Sequence, residues 1–207
     1  APSRAYFPGD YVVLMGGSTG RDGIHGVTFA SRTLTEQSEE DRPAVQIGDP
    51  FTKKLIIEST IEAVKTGYIR GLKDLGGGGL SCALSELTGD GNTGAKVDLN
   101  KIYTREPGMN SFEIMLSESQ ERMAFIVKPE GLGQVLDVFK KYEMAHAVIG
   151  RVDDSKVLKV YDGDNLVVSL PARSLSDAPP IEREEKQPNY IDTLRNQKTP
   201  NLESEID

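Results

Sequence analysis

The chain has 207 residues, of which 37% are hydrophobic, and its formal net charge at pH 7 is -8. This length suits one generous domain, or one domain with a tail. The longest apolar runs, such as residues 11–15, are too short to span a membrane, and the first ten residues lack the features of a signal peptide. The negative charge argues against nonspecific binding to a nucleic-acid backbone, which requires clustered Lys and Arg.

Cysteine usage is minimal, since Cys82 is the single cysteine of the chain. Internal disulfides and a zinc site built from several cysteines are therefore excluded, and a cytoplasmic, reducing compartment is the simplest prediction. Anionic ligands remain compatible with the charge, provided that local devices such as glycine amides or a metal ion hold them.

The hydrophobic pattern predicts strands and helices that mingle without strict alternation, which indicates one α+β domain with a mixed β-sheet packed with helices. The first predicted strand, residues 10–16, leads directly into a glycine-rich loop at 16–26. The later predicted strands are 68–75, 94–99, 122–128, 145–152, 157–162 and 166–171, and the predicted helices are 49–67, 80–87, 110–116 and 129–142.

The sequence predicts both the ends and the apolar face of the first helix. Asp49 is placed to cap it, and Gly67 is placed to end it. Ile57, Ile61 and Val64 stand at helical spacing and share one apolar face.

Both ends of the chain differ from its middle. Residues 1–9 form an N-terminal extension, the domain is expected to cover 10–174, and 175–207 hold four prolines and many charges. This last stretch is predicted to be a solvated linker or tail with no fold of its own. Such ends are typical of a piece of a longer protein, and the alternative is a small protein with a floppy tail.

The stretch DLGGGGLSCALSEL, residues 74–87, places an aspartate and four glycines directly before a predicted helix. Glycines at such a junction let backbone amides approach a ligand, and the helix N-terminus adds partial positive charge. Asp74 could then hold a magnesium ion that bridges to a phosphate. An equally good interpretation is a tight turn in which strand and helix backbones pack and Asp74 caps the helix. Neither a GxGxxG fingerprint nor the lysine of a P-loop is present.

Two polar stretches are candidates for substrate recognition. Glu118, Ser119 and Gln120 stand between a short predicted helix and an apolar strand, and together they offer the donors and acceptors that a sugar or an amide requires. Gln46 stands in a similar setting, before a glycine turn and a helix cap. On polarity alone, an exposed turn and a surface glutamine are the simpler interpretations.

The histidines and the cysteine give little support to a nucleophilic site. His25 lies in the glycine-rich loop with Arg21 and Asp22, so an acid/base or phosphate role is one interpretation, and a bond to loop backbone is the other. His146 begins a predicted strand and is expected to be structural. Cys82 lies within a predicted helix and is expected to be a small buried side chain.

Four stretches occur in a telling order: GGSTGRDGIHGVTFAS at 16–31, QIGDPFTKKLIIE at 46–58, DLGGGGLSCALSE at 74–86 and SESQERM at 117–123. Together they resemble the phosphoribosylformylglycinamidine synthase subunit II family, within the aminoimidazole ribonucleotide synthetase-like superfamily. The resemblance covers residues 9–172, and SESQERM is its most specific motif. Gly77 stands where the family more commonly has alanine, and no functional change is expected from it.

The resemblance implies that the chain is the C-terminal domain of the first of two similar synthetase halves, with an α+β fold. It implies an ATP-dependent ligase of de novo purine biosynthesis that converts formylglycinamide ribonucleotide to formylglycinamidine ribonucleotide. ATP activates the amide oxygen as an iminophosphate, and glutamine-derived ammonia displaces the phosphate. The implied partners are a glutaminase subunit, a small accessory subunit and the remaining domains of the parent chain, with no nucleic acid and no membrane.

Carried over residue by residue, the resemblance makes Gln46, Glu118, Ser119 and Gln120 substrate-binding residues and Asp74 a Mg²⁺ ligand. Most ATP contacts and the catalytic histidines of the family would lie in segments outside this chain, so no catalytic residue is expected in it and it should be inactive alone. Two rival hypotheses are another ATP-dependent synthetase or kinase of the same superfamily, and a non-catalytic interaction module on this fold.

Overall fold

The computed structural model describes residues 1–24, 48–177, 181–183 and 185–198. Within these residues, seven strands form one sheet and five α-helices accompany it. The strands are β1 (Tyr11–Gly16), β2 (Ile69–Asp74), β3 (Gly94–Asp98), β4 (Arg122–Val127), β5 (His146–Asp153), β6 (Val157–Asp162) and β7 (Asn165–Pro171). The helices are α1 (Pro50–Lys65), α2 (Gly79–Gly91), α3 (Ser111–Leu116), α4 (Leu132–Lys141) and α5 (Tyr190–Asn196).

The sheet is mixed, and its strand order is β2-β4-β1-β5-β3-β6-β7. β3 and β6 pair in parallel, whereas the other neighbouring strands pair antiparallel. β6 and β7 form the hairpin predicted around the turn at 163–165. The predicted α+β fold with a mixed sheet is confirmed.

Helices cover both faces of the central strands, and this produces two hydrophobic cores. Along β1, Val12 and Leu14 face the core that α2 and α3 close, while Val13 and Met15 face the core that α1 and α4 close. All four side chains have 0% of their surface exposed. A strand buried on both faces reads as a continuous apolar run, which explains why YVVLM carries no alternation.

Helix α1 confirms the predicted ends but not the predicted face. Asp49 caps the helix by accepting hydrogen bonds from two backbone amides of the first turn, and the helix ends two residues before Gly67. Ile57 and Ile61, however, are 52% and 51% exposed, and the buried residues are Ile56, Ser59 and Ala63. The face with small Ser and Ala side chains turns inward, because small residues let the helix lie close to the neighbouring layer.

The N-terminal extension is packed onto the domain. Ala5 is fully buried, and its backbone amide donates to the carbonyl of Leu87 in α2. Pro2 accepts a hydrogen bond from the amide of Leu72 in the edge strand β2. A Cβ on Gly91 would lie 2.0 Å from the carbonyl oxygen of Ala5, so this close approach requires glycine.

The sequence analysis did not predict helix α5, which lies in the expected linker or tail. This helix has seven residues and none of them is buried, so it adds nothing to either core. In the part of the chain that the structure describes, no helix has both the length and the apolarity needed to cross a membrane.

The orientation of α1 can be tested with two adjacent isoleucines. Replacement Ile56→Ala should lower the free energy of unfolding by about 2–4 kcal/mol, because it leaves a cavity beside the α1/α4 core. Ile57→Ala should change it by only about 0.5 kcal/mol, because that side chain is half exposed. Urea unfolding of both variants measures the difference, and equal losses would contradict the observed orientation.

Candidate functional site

Several strand ends meet at one edge of the sheet. β1 and β2 both run antiparallel to β4, so that Gly16 lies opposite Arg122 and Asp74 lies opposite Met123. The C-terminal ends of β1 and β2 therefore adjoin the segment 117–121, which leads into β4. This topology brings together candidates that are more than 40 residues apart in sequence.

The glycine-rich turn after β2 contacts the predicted substrate-binding triplet directly. The backbone amide of Gly78 donates a 3.0 Å hydrogen bond to Oε1 of Glu118, whose residue is only 3% exposed. Asp74 is exposed at the end of β2, and the amide of Leu75 donates to the carbonyl of Arg122. The turn that follows Asp74 therefore contacts the buried carboxylate of Glu118, while Asp74 itself is exposed at the end of β2.

The four positions 76–79 differ in whether the structure requires glycine there. Gly78 and Gly79 have φ angles of +75° and +53°, a region that glycine adopts without strain. A Cβ on Gly79 would lie 2.1 Å from the carbonyl oxygen of Ser117, so the start of α2 packs against backbone there. A Cβ on Gly76, by contrast, would meet nothing closer than 3.8 Å, and Gly77 is exposed. A positive φ explains Gly78, and a positive φ together with close packing explains Gly79. Ligand approach remains a prediction for Gly76 and Gly77.

Ser119 lies inside the protein rather than on its surface. Its hydroxyl donates to a carboxylate oxygen of Asp22 and accepts a 2.9 Å hydrogen bond from the amide of Gly20. The hydroxyl of Ser117 lies 3.2 Å away. These contacts give Ser119 a bracing position between the glycine-rich loop and the segment 117–121, and its predicted contact with substrate remains a prediction.

A buried arginine organises the same segment. Arg122 is 2% exposed, and its guanidinium donates to the carbonyl oxygens of Ser117 and Ser119, at 2.6 and 2.9 Å. A third donor reaches the hydroxyl of Thr19 at 2.9 Å. Burial lowers the pKa of Arg122 to about 10, which leaves the side chain charged at neutral pH. The sequence analysis missed this residue, although it stands in the motif SESQERM.

The glycine-rich loop is held by ion pairs. Arg21 bonds to Glu106 and Glu113, each at 2.7 Å, and both contacts raise its pKa above the ordinary value. Asp22 pairs with Arg105 at 2.7 Å. Arg21 and Asp22 therefore have structural partners within the domain, while His25, the third residue of that hypothesis, lies outside the described residues.

The pKa of Asp22 reflects two opposing influences. Burial alone would raise it, but the hydrogen bonds from Arg105 and Ser119, the positive charge of Arg105 and a backbone hydrogen bond together leave the pKa below its ordinary value. The folded state therefore favours the ionised carboxylate, which is the form that accepts both hydrogen bonds.

The segment 117–121 also contacts the beginning of α1. Oε2 of Glu121 accepts a 3.2 Å hydrogen bond from the backbone amide of Asp49, and Oε1 lies 3.5 Å from Nζ of Lys53. Glu121 adopts a φ of +57°, which a sequence pattern does not disclose. Gln46, the remaining predicted substrate ligand, lies outside the described residues, and its role stays a prediction.

The described residues can supply part of a magnesium site. Within 1–24, 48–177, 181–183 and 185–198, no group of three or more His, Cys, Asp or Glu side chains is arranged to hold a metal ion. Magnesium in phosphate-transferring sites, however, often binds one or two carboxylates together with water and substrate phosphates. The exposed carboxylate of Asp74 fits that limited role as a single ligand.

Cys82 is half-buried rather than buried as expected, and both Cys82 and His146 contact neighbouring residues of the domain. Sγ of Cys82 lies 3.1 Å from Glu86, and burial, with that carboxylate, raises the thiol pKa to about 11, so a thiolate nucleophile is disfavoured. The ring centroid of His146 lies 5.8 Å from that of Phe139, with the two rings tilted by 51°. Nδ1 of His146 lies 2.8 Å from the carbonyl oxygen of Met144. The prediction that His146 is structural agrees with these contacts.

Removal of the buried guanidinium should disrupt the segment 117–121. We expect Arg122→Met to lower the free energy of unfolding by about 3 kcal/mol or more, because two carbonyl oxygens and one hydroxyl lose their donor. The control Arg151→Met removes an exposed guanidinium that stacks on Tyr11 at 4.5 Å, and it should cost about 1 kcal/mol or less. Urea unfolding compares the two variants. Similar losses of unfolding free energy would show that Arg122 stabilises the fold no more than an exposed arginine does.

The lowered pKa of Asp22 predicts a pH dependence. Because its folded pKa lies below the unfolded value of 3.8, the carboxylate stabilises the fold above that value, and the benefit is lost as pH falls through the folded pKa. The difference in unfolding free energy between the unmodified chain and Asp22→Asn should be constant at neutral pH and shrink below pH 3.8. Urea unfolding at several pH values measures it, and a difference that grows in acid would contradict the assignment.

Comparison with curated proteins shows close relatives. The chain is 53% identical over 183 residues to "Phosphoribosylformylglycinamidine synthase subunit PurL" of Methanothermobacter marburgensis, covering 88% of this chain and 26% of that protein. It is 51% identical over 193 residues to the protein of the same name from Methanopyrus kandleri, covering 92% of this chain and 27% of that protein. The chain thus spans about a quarter of the length of the curated relatives it matches.

Solved structures give the same picture. "T. maritima PurL complexed with FGAR" matches with a TM-score of 0.83 and 40% identity, over 91% of this chain and 31% of that chain. "T. maritima PurL complexed with ATP" matches with a TM-score of 0.77 and 37% identity, over 91% of this chain and 29% of that chain. The hydrogenase maturation protein HypE of E. coli, at 15% identity and a TM-score of 0.58, shares the fold alone.

The family match covers most of the chain. Residues 8–163 match the family described as AIR synthase related protein, C-terminal domain. This match agrees with the mixed seven-stranded sheet and with the resemblance that the four motifs carry. The chain therefore belongs to the family of AIR synthase related protein C-terminal domains.

Proposed function

We propose that this chain is the substrate- and Mg²⁺-binding domain of a phosphoribosylformylglycinamidine synthase. The parent enzyme would convert formylglycinamide ribonucleotide, ATP and glutamine-derived ammonia to formylglycinamidine ribonucleotide. The proposal is supported by relatives of that name at about half identity and by likeness to a PurL described as complexed with FGAR. Because the chain spans about a quarter of those relatives, the complete activity would require the rest of the polypeptide.

One observation carries the proposal: the turn after Asp74 and the segment 118–120 contact each other at one edge of the sheet. The 3.0 Å hydrogen bond from Gly78 to Glu118 joins the turn that follows the predicted metal ligand to the predicted substrate-binding triplet. A small-molecule site requires a few convergent polar groups on a firm scaffold, and this edge supplies them. A non-catalytic module would have no need of that convergence, so this contact favours the proposed function over the second rival hypothesis.

Asp74 would contribute charge rather than a proton. Its carboxylate is exposed at the end of β2, and it would be one ligand of a magnesium ion that offsets the negative charge of phosphate groups. The exposed backbone at Gly77 would leave room for a phosphate beside it. Other ligands of the ion and most contacts to ATP would come from the remainder of the parent chain.

Glu118 and Gln120 would orient the substrate. A carboxylate accepts hydrogen bonds from sugar hydroxyls, and an amide both donates and accepts, so the pair suits a ribonucleotide with an amide group. Oε1 of Glu118 already accepts from Gly78, which fixes that side chain at the start of the turn. Ser119 would support this segment from inside the domain, because its hydroxyl bonds to the carboxylate of Asp22.

The chemistry itself would proceed between domains. ATP would phosphorylate the amide oxygen of the substrate, and ammonia would then form the new C–N bond while the phosphate leaves. The ammonia would come from a glutaminase partner, and a small accessory subunit would complete the assembly. The similar solved structure "Structure of PurLQS from Thermotoga maritima" supports an assembly of this kind. A cytoplasmic location follows from this proposed pathway and remains a prediction.

Replacement of Asp74 in the full-length parent protein tests the proposed metal role. Asp74→Asn should lower turnover of formylglycinamide ribonucleotide by about 100-fold and raise the Mg²⁺ concentration needed for half-maximal rate, because one anionic ligand is lost. The matched control is Asp90→Asn, since Asp90 is also exposed but lies near the end of α2. Steady-state rates against Mg²⁺ concentration provide the measurement.

Three outcomes of this experiment are informative. Loss in Asp74→Asn with normal rates in Asp90→Asn supports the proposal. Equal rates in both variants would remove Asp74 from the site. Absence of turnover in the unmodified parent protein would overturn the proposed function itself. In a separate assay, turnover by the present chain alone would contradict its proposed dependence on the rest of the polypeptide.

A further inference from the structure

Glu121 adopts a backbone conformation that residues other than glycine rarely adopt. Its φ of +57° lies in the left-handed region, where the Cβ of an L-residue crowds the following carbonyl oxygen. The residue is nevertheless 8% exposed and stands directly between Gln120 and Arg122. Strain of this kind persists only where surrounding contacts impose it, and it is concentrated at functional sites.

The contacts that impose it come from two sides. On the backbone side, the carbonyl of Glu121 accepts a 2.8 Å hydrogen bond from the amide of Gly17, and a Cβ on Gly16 would lie 2.1 Å from the same oxygen. On the side-chain side, the carboxylate accepts the 3.2 Å bond from the amide of Asp49 and pairs with Lys53 at 3.5 Å. In this left-handed conformation, the backbone of Glu121 bonds to Gly17, directly after β1, while its carboxylate contacts the start of α1.

The carboxylate of Glu121 accepts its hydrogen bond at the N-terminus of α1. Asp49 is the N-terminal cap of α1, and it is the third residue after Gln46 in the chain. A backbone amide beside a helix cap is free of the internal helix bonds, so an acceptor from elsewhere can fix it. Glu121 provides such an acceptor from a position 72 residues away.

We propose that Glu121 is a positioning residue that couples the segment 118–120 to the start of α1. Its carboxylate fixes the separation between these two stretches, of which the segment 118–120 carries predicted substrate contacts. This inference rests on the proposed function, because only a ligand bound by Glu118 and Gln120 would register a displacement of that segment.

Two substitutions separate positioning from simple stability. Glu121→Ala removes the carboxylate and keeps the strain, whereas Glu121→Gly removes the carboxylate and relieves the strain. If the residue matters only for folding, the glycine variant should recover both stability and substrate affinity. If it positions the two stretches, the glycine variant should recover stability alone.

The full-length parent protein carries the test. We expect both variants to raise the KM for formylglycinamide ribonucleotide about tenfold with little change in kcat, because binding contacts are misplaced while the reacting groups remain. Glu121→Gly should melt at a higher temperature than Glu121→Ala. Hydrogen exchange at residues 48–53 should be faster in both variants, because the amide of Asp49 loses its acceptor.

Glu143 supplies a matched control. It also is a glutamate in the left-handed region, with a φ of +54°, but it is exposed just beyond α4. Glu143→Gly should raise the melting temperature relative to Glu143→Ala in the same way as at position 121. Neither Glu143 variant should change the KM or the exchange at 48–53.

The outcomes distinguish this inference from the proposed function. A normal KM in Glu121→Gly, or unchanged exchange at 48–53 in both variants, would overturn the positioning role while the proposed function stands. No turnover in the unmodified parent protein would overturn the proposed function, and with it the role of Glu121 toward substrate. A raised KM in both variants, with faster exchange at 48–53, supports the inference.

Discussion

The guanidinium of Arg122 lies buried where β4 begins, and it donates to Ser117, Ser119 and Thr19. A buried cation is costly unless its donors are satisfied, so the surrounding carbonyls must stay where they are. The segment 117–121 therefore has little freedom to move while the protein is folded. The candidate site depends on this constraint, because every predicted substrate contact in the described residues belongs to that segment.

Neighbouring elements are fitted to the braced segment. The start of α2 approaches the carbonyl of Ser117 so closely that Gly79 has no room for a side chain. The glycine-rich loop bonds to Ser119 through Asp22, and the loop in turn is tied to Glu106 and Glu113 by Arg21. Inward-facing groups thus perform the bracing, whereas Asp74 remains exposed at the rim. This division of roles suits a site that meets its ligand from outside the domain.

The chain spans about a quarter of the length of the relatives it resembles, and the proposed site would be correspondingly partial. One exposed carboxylate is a reasonable share of a magnesium site that phosphates and other segments complete. In the proposal for Glu121, the substrate site is likewise held in place by contacts between separate segments. A rigid scaffold limits the entropy lost on binding, which is an advantage where contacts are divided among domains.

The sequence by itself determined the seven strands, the helices α1 to α4, the ends of α1 and the position of Asp74 beside the glycine turn, because these depend on local periodicity, caps and motif order. Resemblance also points to the segment 118–120 and to Gln46, and the substrate roles of both stay predictions. The sequence did not determine which isoleucine of α1 is buried, since Ile56 and Ile57 both fit helical spacing. Only the tertiary structure decided the inner architecture of the site. Arg122 meets Thr19 across 103 residues, and Glu121 meets Asp49 across 72. Contacts over such separations depend on how the strands are ordered in the sheet, which no local pattern encodes. The left-handed backbone of Glu121 follows from those same distant contacts, so the sequence shows the residue but not its conformation.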